Sequence, residues 1–157
     1  MTDEGALVLC RLGKHYLAFP VHSVREVLDD VPVTPVPLAP PHLSGLVNLR
    51  GEVLTVVDTC GLLGVDSVEA EGGQVHLVLS MRSEARSLLV DEVLEVIRPT
   101  EDLLLDLPPG IEPRLERVSE GLVNHPDCLV LRCSVMAVFS EILQSAYASN
   151  AASERKT

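Results

Sequence analysis

The sequence predicts a mostly β protein of two lobes sharing a core, closed by one C-terminal helix. Three observations carry that expectation. Short runs of Val and Leu, bounded by Gly, Pro, Asn and Asp, recur in two clusters, over about 6–65 and about 74–133. The chain of 157 residues is 46 % hydrophobic but has only two Tyr, two Phe and no Trp. Its core must therefore be built from Val and Leu, which suits strands and small barrels. Finally, Val135, Val138, Phe139, Ile142, Leu143 and Ala146 recur at three- and four-residue spacing, the period of an amphipathic helix. The length suits one domain, with lobes over about 6–68 and 74–145.

Taken in order, residues 6–12 (ALVLCRL) read as a strand partly buried on both faces. Gly13-Lys14 turns the chain, His15–Phe19 returns it, and Pro20 ends the run. Val21, Val24, Val27 and Leu28 suit a short helical segment by spacing, with strand as the competitor because Val is β-branched. Residues 31–41 hold a cluster of prolines, which cannot donate to a sheet ladder, so an edge strand or extended connector is expected. The same stretch read as a PxxP ligand is disfavoured by the apolar residues between its prolines.

Residues 43–64 (LSGLVNLRGEVLTVVDTCGLLG) form the centre of the pattern. Two branched runs flank Arg50-Gly51, the signal for a hairpin. Asp58 stands as the N-cap of a single helical turn that Gly64 closes. Arg50 has no local partner in the sequence: it either reaches a carboxylate on this or another chain, or is a solvated turn residue. An acidic loop follows over 66–74. Strands are then expected at 75–81, at 85–90 and around Val93–Ile97. Residues 99–114 read as an irregular connector anchored by Leu103, Leu104 and Leu105. Residues 117–123 and 128–133 form a last hairpin, and the polar tail from Ser149 to Thr157 is expected to fray.

The formal net charge is −11, from 12 basic and 23 acidic residues. That argues against a nucleic-acid partner, which needs a basic surface. No run approaches the length needed to span a bilayer, and no signal peptide is visible, so a cytoplasmic protein without membrane insertion is expected. Cys10, Cys60, Cys128 and Cys133 show no metal-ligand spacing and read as reduced, buried thiols. The sequence carries no phosphate-binding, hydrolase or metalloprotease motif. Asp58 and His76 can be cast as a base and its orienter, but no motif places a nucleophile. The carboxylate pairs Asp29-Asp30, Glu69/Glu71 and Asp91-Glu92 read as solvated surface. No catalytic residue, cofactor or metal is expected.

At this point the stretch GLVNLRGEVLTVVD resembles the signature of CheW-like domains. Segments at 17–27, 33–37, 88–93, 121–123 and 128–131 resemble their other conserved-looking elements, so the likeness covers about 6–145 within a single domain of 1–148. Thr55 stands at a usual proline, Ser87 at a common glycine and Glu92 at a frequent glycine, while Cys60 and Cys133 are not family marks. The resemblance implies two intertwined five-stranded SH3-like barrels. It further implies a non-catalytic adaptor that couples the cytoplasmic tip of methyl-accepting chemoreceptors to the regulatory domain of a histidine kinase. By that resemblance Val8, Val21, Val24 and Val27 lie on the kinase-facing surface, with plain core as their other reading. Glu26, Arg50 and Val75 meet or adjoin the receptor, and Gly45 and Asn48 shape that region. A regulator of a kinase in surface motility or biofilm control, or a small ligand-binding β protein, is the alternative.

Overall fold

In a computed structural model, residues 5–67, 73–100, 104–107 and 109–154 are described, with side chains not described at 104–105 and 147–154. Strands β1 (Leu7–Leu12) and β2 (His15–Pro20) form the first hairpin. After a 3-10 turn at Val21–Ser23 come β3 (Val24–Leu28), β4 (Leu43–Leu49), β5 (Glu52–Asp58) and helix α1 (Thr59–Leu63). Then follow β6 (Val75–Met81), β7 (Glu84–Val90), β8 (Glu92–Ile97) and the two-residue β9 (Leu104–Leu105). Helix α2 (Pro113–Val118), strands β10 (Ser119–Asn124) and β11 (Leu129–Cys133) and helix α3 (Val135–Glu154) complete the chain.

The strands form two interwoven five-stranded units, ordered β3-β6-β7-β5-β4 and β8-β1-β2-β11-β10, with β9 added to the edge of the second. These are the two intertwined SH3-like barrels with a C-terminal helix that the sequence predicts. The sheets, however, do not follow the order of the chain through 6–68 and 74–145. Hairpin β1–β2 lies in the sheet of β8, β10 and β11, and hairpin β6–β7 lies in the sheet of β3, β4 and β5. Each half lends its first hairpin to the other, because a parallel pair closes each sheet: β5 with β7, and β11 with β2.

The two sheets repeat each other residue by residue. Leu7 faces Pro20 in the first hairpin, as His76 faces Leu89 in the second. Arg25 is the extra residue where β3 bulges against β6, and Leu94 is the extra residue where β8 bulges against β1. Ser44 and Glu120 are likewise extra in the hairpins β4–β5 and β10–β11. Such bulges bend and twist a strand, which small closed sheets require. The helices after each unit start alike: Gly61 N donates to Asp58 Oδ1 at 3.3 Å, and Ala137 N donates to Ser134 Oγ at 3.2 Å.

Three expectations on individual elements are revised. The helical segment over Val21–Leu28 is a single 3-10 turn and then a strand, since β-branched Val24 and Val27 gain a full ladder against β6. The connector over 99–114 gives way to α2, and the strand begins at Ser119 rather than 117. Pro113 at the first helical position and the Glu112 carboxylate, accepting from Arg114 N and Leu115 N, start that helix. Helix α3 runs to Glu154, into the region assigned to the tail. Leu103 and most of the acidic loop, with Glu69 and Glu71, lie outside the described residues.

One large core lies between the sheets and under the helices, with Leu17, Phe19, Leu62, Leu77, Leu88, Leu115, Val138 and Phe139 among its members. Each sheet also encloses a small cluster of its own: Leu7, Leu9, Ala18, Val123 and Val130 in one, Val47, Leu54, Val56, Val78 and Ala85 in the other. Asp91 is buried, not solvated as its sequence context suggests. It accepts from Gly13 N at 2.6 Å and from Gln74 Nε2 at 3.3 Å, with Arg11 Nη1 at 3.6 Å. The carboxylate thus ties the β1–β2 turn to the start of β8.

Candidate functional site

Arg50 and Gly51 are the two loop residues of the β4–β5 hairpin, and both have positive φ, +53° and +87°. That is the two-residue hairpin turn whose twist suits the flanking strands, and glycine at the second position relieves its strain. Asn48 completes the turn, its Oδ1 accepting from Gly51 N at 2.9 Å. The turn projects Arg50 outward, with 80 % of its side chain exposed, and its Nη2 meets Glu26 Oε2 on β3 at 2.6 Å. Arg25 Nη1 meets Glu52 Oε2 at 2.7 Å beside it. These two ion pairs join β3 to the β4–β5 turn, at opposite ends of the sheet order, and so close the barrel on its open side.

Gly45 has a different role. A Cβ there would collide with the Thr34 carbonyl oxygen and Val33 Cγ1. Its absence lets the proline-rich connector cross β4, where Thr34 and Leu46 exchange two backbone hydrogen bonds of 2.8 Å. Glu26, Gly45, Asn48 and Arg50 are therefore parts of one construction. Val75 is half-buried at the start of β6, packed on the main core and paired with Val90, with no described contact to the turn. Of the four valines, Val8 is buried, while Val21 and Val24 pack half-buried on the core. Val27 alone stands well out, 43 % exposed.

Two features escaped the sequence reading. Val53 is 60 % exposed beside the turn, so residues 25–27 and 50–53 present two exposed valines, Val27 and Val53, beside the two ion pairs. The second unit carries a counterpart: Val96 is 49 % exposed, Leu129 is 59 % exposed, and Glu95 Oε1 meets His125 Nε2 at 2.8 Å. The signal was in the sequence as a repeat. Val24-Arg25-Glu26-Val27 recurs as Val93-Leu94-Glu95-Val96, and Gly45-Leu46-Val47-Asn48 recurs identically at Gly121-Leu122-Val123-Asn124.

The residues cast as an acid–base pair are occupied elsewhere. Asp58 caps α1, and His76 Nδ1 lies 2.8 Å from the buried Ser87 hydroxyl. Burial lowers the His76 pKa, and a backbone hydrogen bond with Val31 opposes that shift. Burial pushes the Cys60 thiol up to about 11 and the Cys133 thiol up to about 12, and raises Cys10 further. Among the described residues no group of three or more His, Cys, Asp or Glu is placed to hold a metal ion, and no helix is long and apolar enough to cross a membrane.

Comparison with known families matches residues 6–142 to the CheW-like domain. The chain belongs to that family. Its relatives include the chemotaxis protein CheW of Thermotoga maritima, 31 % identical over 131 residues, covering 83 % of this chain and 85 % of the relative. The chemotaxis protein CheW of Rhizobium meliloti is 35 % identical over 114 residues, covering 68 % and 74 %. Among solved structures, the scaffolding protein TtCheW from Thermoanaerobacter tengcongensis superposes with a TM-score of 0.76 at 23 % identity, over 86 % of this chain and 92 % of that one. At that identity the likeness speaks for the fold. CheW-like domains are non-catalytic scaffolds and adaptors, and this chain is of that class.

Proposed function

We propose that this CheW-like domain, taken as one unit over about 1–148, works in the cytoplasm as a chemotaxis adaptor. In this reading it couples the cytoplasmic tip of a chemoreceptor to the regulatory domain of a histidine kinase. The observation that carries the reading is the patch at the β4–β5 turn, with Val27 and Val53 exposed beside the ion pairs Glu26–Arg50 and Arg25–Glu52. Apolar anchors inside a charged rim are the anatomy of a protein interface. In this assignment Val27 is the kinase-facing contact, with Val8, Val21 and Val24 supporting it from below. Glu26 and Arg50 face the receptor, Asn48 sets the turn, Gly45 lets the connector cross β4 beneath that region, and Val75 lies behind it on β6. A matching patch on the second unit suits an adaptor, which must hold two partners at once.

The test is Arg50→Ala, with melting and binding to receptor and kinase fragments measured in parallel. An exposed ion pair contributes about 0–1 kcal/mol to the fold, so melting should barely move. Loss of a charge-assisted contact of about 1.5–3 kcal/mol weakens the complex roughly ten- to hundredfold. A severe drop in melting would make the residue structural. Unchanged binding would sink the assignment.

A further inference from the structure

A cavity of about 210 Å³ lies between α1, the middle of α3 and the parallel pair β5–β7. Its wall is mainly apolar, with Leu43, Val57, Leu62 and Ile142 in it. Four polar side chains interrupt that wall: His42, Ser145, Thr55 on β5 and Arg86 on the neighbouring strand β7. The Thr55 hydroxyl and Arg86 Nε are both buried, and neither has a hydrogen-bond partner. Among the described residues no other buried side-chain nitrogen or oxygen is left unpaired. Buried polar groups are ordinarily satisfied, because an unmade hydrogen bond costs more than a made one contributes. That both exceptions line one cavity points to something that binds there.

The chemistry of the two groups narrows what it is. Arg86 Nε–H can only donate, and the hydroxyl can donate beside it. The guanidinium is held over the Phe139 ring, 5.5 Å from its centroid, and its nearest recorded carboxylate, Glu84, is 3.7 Å from Nη2. The arginines at the far side of α1 are already engaged: Arg114 with Glu112 and the Gly61 carbonyl, Arg117 with Glu141. The buried unpaired donors are therefore at the Arg86 end, and apart from His42 and Ser145 the rest of the wall is apolar. The volume exceeds the roughly 150 Å³ cavity that holds benzene and falls below the roughly 300 Å³ at which drug-sized sites begin.

We propose that this cavity binds a small monocarboxylate with a compact apolar body. The carboxylate accepts from Arg86 Nε and the Thr55 hydroxyl, and the body fills the space under α3. Water satisfies the donors but leaves the apolar wall unfilled, and a neutral hydrocarbon does the reverse.

The experiment titrates the full chain with benzoate and isovalerate and with their neutral analogues benzamide and isovaleramide, and follows backbone amide NMR shifts. The expected result is saturable binding of at least one acid, with shifts centred on Leu43, Val57, Leu62 and Ile142. Benzoate, or isovalerate against its amide, should bind at least about tenfold more tightly than the neutral partner. Arg86→Gln should erase that preference, and Thr55→Val should reduce it. If either variant fails to fold, the acid-against-amide comparison on the unaltered chain decides. Saturable binding by neither acid, equal binding of acid and amide, or shifts outside the cavity would overturn the proposal.

Discussion

Asp91 shows how a single side chain can carry more than its sequence context suggests. Between Val90 and Glu92 it looks like another surface acid, yet it is the buried acceptor that joins the β1–β2 turn to β8. Asp91→Asn should lose a charge-assisted bond to Gly13 N and cost about 1.5–3 kcal/mol, read as a lower denaturant midpoint. Glu92→Gln, at the next residue in a longer and partly exposed pair with Arg11, should cost under about 1 kcal/mol. His76 is the second case. Its pKa is lowered in the fold, so the unfolded chain takes up protons first as pH falls below about 6.5, and stability falls with it. Denaturation at about pH 7.5 and about pH 5.5 should show that loss, and His76→Gln should flatten it. The thiols complete this scale. Native labelling followed by mass analysis should modify half-buried Cys128 first and Cys10 and Cys133 last, since burial holds both as unreactive thiols. The thiol burial was legible because three cysteines sit within apolar runs. The Asp91 role was not, because its partner donors are far away in sequence.

Elements were legible where local chemistry decides them. Arg50-Gly51 between two branched runs, Asp58 before α1 and Gly64 after it all behave as their residue types predict, Gly64 at φ +70°. The segment Val21–Leu28 was ambiguous because helical spacing and β-branching point opposite ways, and only the ladder offered by β6 resolves it. Helix α2 was missed although Glu112-Pro113 is a start signal, because the surrounding prolines dominated the reading. Capping also gives a test at this scale. Ser134 caps the helix that lays Val135, Val138 and Phe139 into the main core. Ser134→Ala should lower stability by about 0.5–2 kcal/mol, while Ser134→Asp should restore most of it, both measured by thermal melting.

For the whole molecule, the closing helix was readable from spacing and the two intertwined five-stranded barrels from the family resemblance, but which hairpins the halves exchange was not readable from the residues. Pairing across halves depends on parallel contacts between strands far apart in sequence, which no local pattern reports. The recurring Gly-Leu-Val-Asn and Val-x-Glu-Val segments were the available clue, since they mark equivalent bulges and turns in the two units. The exchange predicts how fragments behave. A chain cut in the loop between α1 and β6 gives two pieces, each lacking the hairpin that completes its own sheet. Each alone should show little cooperative unfolding, and the mixture should recover the native spectrum. Cooperative folding of either piece by itself would contradict the interwoven topology.

The same exchange sets an order of events on the ribosome. Hairpin β1–β2 emerges well before the strands that flank it, β8 and finally β11, which follow only after the whole of the other sheet has been made. At about 5–20 residues per second, it waits on the order of ten seconds with Leu7, Leu9, Leu17 and Phe19 still uncovered. Translation rate and chaperone supply should therefore govern the yield of this protein more than its final stability does.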